Sequence, residues 1–146
     1  LVIISFLASL PLNYPMMTDP IASLLTNLRN AYLVKKAVVE LPHSKMKEAL
    51  AKLLLAEGYL EKVEAREIMG SKKALVMTLK YTEVGPAMTL IRRISKPGRR
   101  WYVKHEALPT VWGGLGLAIV STNQGLMTVK QARLKGLGGE IVCEIA

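Results

Sequence analysis

Apolar residues recur at helical spacing in two long stretches of the first half of this chain. Beyond residue 86 they fall mostly in short runs broken by glycine and proline. A chain patterned this way has to combine two helices with strands and then continue mainly as sheet. Ile21, Leu24, Leu25, Leu28 and Tyr32 form the first stripe. Thr18 or Asp19 can cap it ahead of Pro20, whose fixed φ suits a first helical turn. Asn27, Arg29 and Asn30 fall off the stripe. Residues 37–41, β-branched and closed by Pro42, read as a strand. Met46, Ala49, Leu50, Leu53 and Leu54 predict a second helix over 44–57, with Ser44 as its cap and Gly58 as its left-handed stop. Lys45, Lys47, Glu48 and Lys52 are assigned to its surface. Residues 59–65 and 74–81 read as two strands joined by a turn at Gly70-Ser71.

Residues 83–86 read as a linker. Strands follow at 89–94 and 101–103, joined by the cationic turn Lys96-Pro97-Gly98-Arg99-Arg100. A short helical turn is expected over 106–112 and an apolar strand over 117–120. A helix over 128–135 opens with Thr128 and Gln131 at capping-box spacing and is ended by Gly136, Gly138 and Gly139. The last strand covers 140–145. The expected fold class is α+β in two small modules. Residues 17–82 form a helix-strand-helix-strand-strand module, and residues 87–146 form a mostly antiparallel β module with short helices. Residues 1–16 stand apart. Residues 1–12 are apolar and uncharged, lack the basic leader of a signal peptide, and are shorter than the roughly 20 apolar residues a spanning helix needs. Met16 and Met17 sit just before the first helix start. The preferred reading is upstream sequence from a misplaced start, with a targeting segment as the alternative, and no membrane partner is expected.

A chain of 146 residues can bury a core without a disulfide or a metal. Its single cysteine, Cys143, excludes an intrachain disulfide and reads as a small buried hydrophobe in the last strand. No Cys/His cluster has metal-ligand spacing, so neither metal nor cofactor is expected. The net charge is +9 and unevenly spread. Residues 17–90 hold eleven Lys/Arg against eight Asp/Glu, a net +3, whereas residues 91–146 hold nine against three, a net +6. Such a field attracts polyanions, nucleic acid first. Catalysis finds no support: His43 lies at a helix entry, His105 lies in a basic run, and the sequence pairs neither with a nucleophile. Gly114-Leu115-Gly116 resembles the start of a dinucleotide loop, but Ile119 occupies the third glycine position and a strand follows where a helix is required. The chain is therefore not expected to be an enzyme.

The most informative segment is GLAIVSTNQGLMTVKQAR, residues 116–133. An apolar strand ends in Ser121-Thr122-Asn123, turns at Gln124-Gly125 and re-enters a helix. Small hydroxyl and amide side chains at such a place are either simple turn formers or groups that enter the shallow minor groove of RNA and bond 2′-hydroxyls, base edges and phosphates. Lys96, Arg99, Arg100 and Lys104 can hold flanking phosphates. Tyr102 either stacks on a base or sugar, or fills the sheet.

The pattern G-x-x-I-V-S-T-x-x-G-L-M-x(4)-A-R over 116–133 resembles the signature of the S-eight family of small-subunit ribosomal proteins. Further segments agree in order: Thr18-Asp19-Pro20-Ile21-Ala22, Leu28-Arg29-Asn30, Leu41-Pro42-x-Ser44-Lys45 and Glu57-Gly58-Tyr59, followed by Leu79-Lys80-Tyr81, Ile94-Ser95-Lys96-Pro97-Gly98-x-Arg100-x-Tyr102, Leu108-Pro109 and Gly136-Leu137-Gly138-Gly139-Glu140. The resemblance covers about residues 17–146. It implies a structural ribosomal constituent that binds the central domain of small-subunit rRNA near the platform, beside neighbouring small-subunit proteins, in the cytoplasm or in an organellar ribosome. It implies that Ser121, Thr122 and Asn123 read the RNA core, supported by Tyr102 and by Gly138, Gly139 and Glu140. It implies a second RNA face on Thr18, Asp19, Arg29, Asn30, Ser44 and Lys45. Some bacterial members also repress translation by binding their own operon mRNA, which is the alternative function. Two departures stand out. Asn123 replaces the usual third residue of a Ser-Thr-Ser loop, and Trp101 stands where the family often carries an aliphatic residue.

Overall fold

The carboxylate of Asp19 starts the first helix by accepting a hydrogen bond from the Ala22 amide at 3.1 Å, with Pro20 in the opening turn. The computed structural model describes residues 19–146; Thr18 and the segment 1–16 lie outside the described residues. Helix α1 (Pro20–Leu33) buries Ile21, Leu24, Leu25, Leu28, Ala31 and Tyr32, the stripe the periodicity predicts. Strand β1 (Val38–Pro42) follows, then helix α2 (Lys45–Ala56), capped by Ser44 Oγ, which accepts from the Lys47 amide at 3.2 Å. Gly58, at φ +82°, lets the chain leave the helix in a left-handed turn. Strands β2 (Leu60–Met69) and β3 (Lys72–Leu79) complete an antiparallel sheet of order β1-β3-β2. The Tyr32 hydroxyl donates to the Tyr59 carbonyl at 3.3 Å, and its ring meets Tyr81 edge-on with centroids 5.5 Å apart.

The face of α2 differs from expectation. Lys47, Leu50, Ala51 and Leu54 are buried, whereas Met46 and Ala49 are exposed. Lys47 was assigned to the surface but is only 6% exposed. Its alkyl stem packs as a hydrophobe would, while Nζ donates to the Pro42 carbonyl at 3.2 Å. Burial holds its pKa below the ordinary lysine value. A lysine in the pattern hides this rotation, because its stem and head belong to different environments.

The chain divides into two compact units, the first ending at Tyr81 and the second spanning Thr82–Ala146. The residues expected as a linker, 83–86, lie in a small hairpin in which β4 (Tyr81–Thr82) pairs with β5 (Gly85–Pro86) and Thr82 Oγ1 donates to the Gly85 carbonyl at 3.0 Å. In the second unit the central strand is the last one, β10 (Gly139–Ile145). On one side it pairs antiparallel with β6 (Ile91–Arg93) and β7 (Tyr102–Val103), and on the other with β8 (Leu117–Thr122), which pairs in turn with β9 (Gly125–Thr128). Short 3₁₀ turns lie at His105–Ala107 and Trp112–Gly114. Helix α3 (Val129–Lys135) carries the expected capping box: Thr128 Oγ1 accepts from the Gln131 amide and Gln131 Oε1 accepts from the Thr128 amide, both at 3.1 Å. Leu108, Val111, Ala118, Val120, Met127 and Ile141 pack with Val129 and Ala132 of α3 into the core of this unit.

Two sequence readings change here. Strand β9 was read as turn and helix approach, because four residues between a turn and a cap leave no visible alternation. Residues 89–103 were read as a hairpin, yet β6 and β7 do not pair with each other. Both run along the same edge of β10, with the loop 94–101 thrown out between them. Among the described residues no helix is long and apolar enough to cross a membrane.

Thr128→Ala removes one half of the capping box, and urea denaturation should show a loss of about 0.5–2 kcal/mol. His43 Nε2 lies 3.0 Å from Glu48 Oε2, and this hydrogen bond is the main cause holding the Glu48 carboxyl below the usual carboxylate range. A depressed folded pKa means that the pair's contribution is complete above the unfolded value and fades as pH falls through the folded one. In an NMR titration of the carboxyl carbons, His43→Ala should move the Glu48 midpoint upward, and an unmoved midpoint would show the hydrogen bond to be inconsequential.

Candidate nucleic-acid interface

Register across β10 brings together residues that lie far apart in sequence. Glu140 is the partner of Tyr102 on β7 and of Ser121 on β8, and Ser121 is the partner of Leu126 on β9. Paired residues of an antiparallel sheet share a face. Their chain neighbours Val103, Ile141, Val120 and Met127 pack in the core with α3. Tyr102, Glu140 and Ser121 therefore form one row on the opposite face. Tyr102 is 68% exposed, and Glu140 and Ser121 are half-buried. The tyrosine ring thus does not fill the sheet interior and stands open to solvent.

Two glycines make the row possible. A Cβ on Gly139 would collide with the Ser121 carbonyl oxygen, and one on Gly138 would lie 2.6 Å from the Val103 carbonyl oxygen. Neither distance can accommodate a side chain without moving backbone. Gly138 also lies against the Lys104–His105 backbone, which places the exposed Lys104 beside the end of the row. The two glycines serve the site by letting strands approach, and no side chain of theirs exists to contact a ligand.

The hydroxyl-amide segment is a tight hairpin. Ser121 and Thr122 belong to β8, Asn123 and Gln124 form the loop, and Gly125 at φ +105° opens β9. Thr122 Oγ1 donates to the Gly125 carbonyl at 3.0 Å and accepts from the Gln124 amide at 3.1 Å. That hydroxyl is the turn former of the earlier alternative. Alternation sends the Ser121 and Thr122 side chains to opposite faces. Ser121 Oγ and the exposed Asn123 amide make no hydrogen bond among the described residues, so both can bond a ligand.

The cationic loop is built rigidly. Ile141 holds both of its ends: its carbonyl accepts from the Ser95 amide at 3.1 Å and its amide donates to the Trp101 carbonyl at 3.0 Å. Fully buried Ser95 closes the base, its Oγ accepting from the Trp101 amide at 3.0 Å. At the tip, Lys96 and Arg99 exchange two backbone hydrogen bonds around Pro97-Gly98, at 3.1 and 2.9 Å. Lys96 and Arg99 are exposed. Arg100 is engaged: its Nη1 lies 2.9 Å from Glu140 Oε1. Glu140 thereby orients a guanidinium, whose charge offsets that of the carboxylate.

In the first unit the expected residues are spread out. Asp19 and Ser44 act as helix caps. Arg29 and Asn30 lie exposed on the outer side of α1, about 15 Å along its axis from Asp19 at 1.5 Å per residue. Lys45 is exposed in the first turn of α2. Arg92 and Arg93, which precede the cationic loop, were not singled out in the sequence. Their signal was an Arg-Arg pair inside a strand that proves to be an edge.

Among the described residues no group of three or more His, Cys, Asp or Glu is placed to hold a metal ion. Burial pushes the Cys143 thiol up to about 12, leaving it protonated. His105 Nε2 lies 3.3 Å from the Arg133 carbonyl.

A family model described as Ribosomal protein S8 matches residues 19–146. The chain belongs to this family. A small ribosomal subunit protein uS8 from Caldanaerobacter subterraneus subsp. tengcongensis is 52% identical over 134 residues, covering 88% of this chain and 98% of the relative. Proteins of the same name from Photobacterium profundum and Dictyoglomus turgidum are 50% and 46% identical over 130 residues. These cover 89% and 88% of this chain and 98% and 97% of the relatives. The family resemblance drawn from residues 116–133 and the collinear segments is thereby borne out, as is the α+β class.

Gly139→Ala should lower the urea midpoint by an amount equivalent to about 1–3 kcal/mol, because backbone must shift to admit the methyl group. Glu140→Gln should leave the fold in place, checked by circular dichroism, while freeing Arg100 to sample other rotamers, visible as averaging of its Nε–Hε resonance.

Proposed function

We propose that this chain is a structural constituent of the small ribosomal subunit, and that it holds the central domain of the small-subunit rRNA with the row Tyr102–Glu140–Ser121, the Asn123 turn and the cationic loop. Family membership supports the ribosomal role. The observation that carries the site is the register at Glu140, which lines up an exposed ring, a clamped guanidinium and an uncommitted hydroxyl. Such a surface suits the minor groove of folded RNA, where short polar groups reach 2′-hydroxyls and base edges that longer cations cannot read. Lys96, Arg99 and Lys104 hold phosphates at its edge, and Arg100 contributes charge from a fixed position. Thr122 acts through the turn it ties. In the first unit, Arg29, Asn30 and Lys45 supply further RNA contacts, with Asp19 and Ser44 presenting the helix ends.

On this reading the chain works in the bacterial cytoplasm, or in an organellar ribosome, beside neighbouring small-subunit proteins. It works without a cofactor and performs no catalysis. The names of its relatives describe ribosomal constituents, and a repressor role on operon mRNA draws no support from them.

Calorimetric titration with the cognate rRNA fragment tests the site. Ser121→Ala should weaken binding by about 1–3 kcal/mol. Arg99→Ala should weaken it without changing RNA preference and reduce the magnitude of the salt slope by roughly 0.7–0.9. Full affinity in both variants would remove this face from the RNA.

A further inference from the structure

The cationic loop encloses more than a row of charges. Arg92, Arg93, Lys96, Arg99, Arg100 and Trp101 line an open groove of about 490 Å³, within the range of small-ligand clefts. Trp101 is 46% exposed. Its backbone is pinned on both sides, the amide to Ser95 Oγ and the carbonyl to the Ile141 amide. No other aromatic ring stacks on it among the described residues. The indole is therefore carried on a fixed stretch of backbone and lines a positively charged groove.

The cations are not equivalent. Arg92 pairs with Glu144 at 2.8 Å, Arg93 donates to the Val142 carbonyl, and Arg100 pairs with Glu140. Lys96 and Arg99, at the tip, are exposed and in no ion pair among the described residues. The groove thus presents one aromatic side chain, a scaffold of clamped guanidinium groups and two exposed cations in no ion pair among the described residues. That is the combination by which proteins bind single-stranded nucleic acid, in which a base stacks on a ring while cations follow the backbone. Paired bases inside an A-form helix keep their faces stacked on each other and cannot offer one to an indole.

We infer that the groove takes one unpaired nucleotide of RNA, its base stacked on Trp101 and its adjacent phosphates held by Lys96 and Arg99. The inference rests on the RNA-binding reading above and adds to it a second kind of contact, to an unstacked base. Arg100 joins the two, since it lines the groove and is held by Glu140 of the row.

The test uses the full chain and three probes: hexaadenylate, a blunt RNA duplex of equal length, and the rRNA fragment. At low salt, hexaadenylate should bind more tightly than the duplex and quench indole fluorescence. Trp101→Ile should weaken hexaadenylate binding roughly five- to hundred-fold and abolish that quench, whereas Trp101→Phe should retain most of the affinity. The pinned backbone groups are kept in both variants, and circular dichroism checks their fold. Equal hexaadenylate binding by wild type and Trp101→Ile would reduce the groove to unspecific charge and overturn the inference. Binding of the rRNA fragment but not of hexaadenylate would overturn it while leaving the Ser121 surface standing. Failure to bind any of the probes would bring down both.

Discussion

The second unit depends on one strand accepting neighbours on both sides at close range. β10 carries β6 and β7 along one edge and β8 along the other, and Gly138 and Gly139 let the backbone of β7 and β8 approach where a side chain would collide. With that approach in place, Glu140 can face Tyr102 and Ser121 at once. Without it, the row would have no common register. Val142 adds an extra residue where the β10–β8 register shifts, and its carbonyl accepts from Ile94 at 3.0 Å as the edge chain turns outward. Ile141 then grips both ends of the excursion. The cationic loop is an outgrowth of the central strand, and its position follows the strand's.

This arrangement uses acids and hydroxyls to fix geometry at the surface proposed to bind rRNA. Glu140 and Glu144 each hold one arginine. A guanidinium so held is oriented and its charge is offset by the carboxylate, while Lys96 and Arg99, in no ion pair among the described residues, keep their full charge. Thr122 ties the hairpin, and the amide of Asn123 and the hydroxyl of Ser121 make no hydrogen bond among the described residues. On the proposed reading, affinity from charge and fit from short polar groups come from different residues on neighbouring strands.

Much of the fold was legible in the sequence because the interactions that set it are local. The Asp19, Ser44 and Thr128 caps bond amides three residues on, and the stripe of α1 repeats over consecutive turns. The readings that failed did so for physical reasons. Lys47 is charged by composition but apolar along most of its length, so counting it as polar misplaced the buried face of α2. β9 is too short to show alternation. At the candidate site, the residue types were legible, but the commitment of Thr122 to its own turn and of Arg100 to Glu140 was not.

By itself the sequence determined where helices start and stop, that the excess of positive charge is larger beyond residue 90, and which family the chain resembles, since each of these is written in composition, in residues a few positions apart or in collinear motifs. Tertiary structure alone decided that Tyr102, Glu140 and Ser121 form a row, that residues 94–101 leave and rejoin a single edge, and that Trp101 lines a groove of arginines. These depend on strand register between residues 19 to 54 positions apart. A shift of one residue in that register turns every side chain to the other face, and no local pattern records which register the glycines of β10 allow.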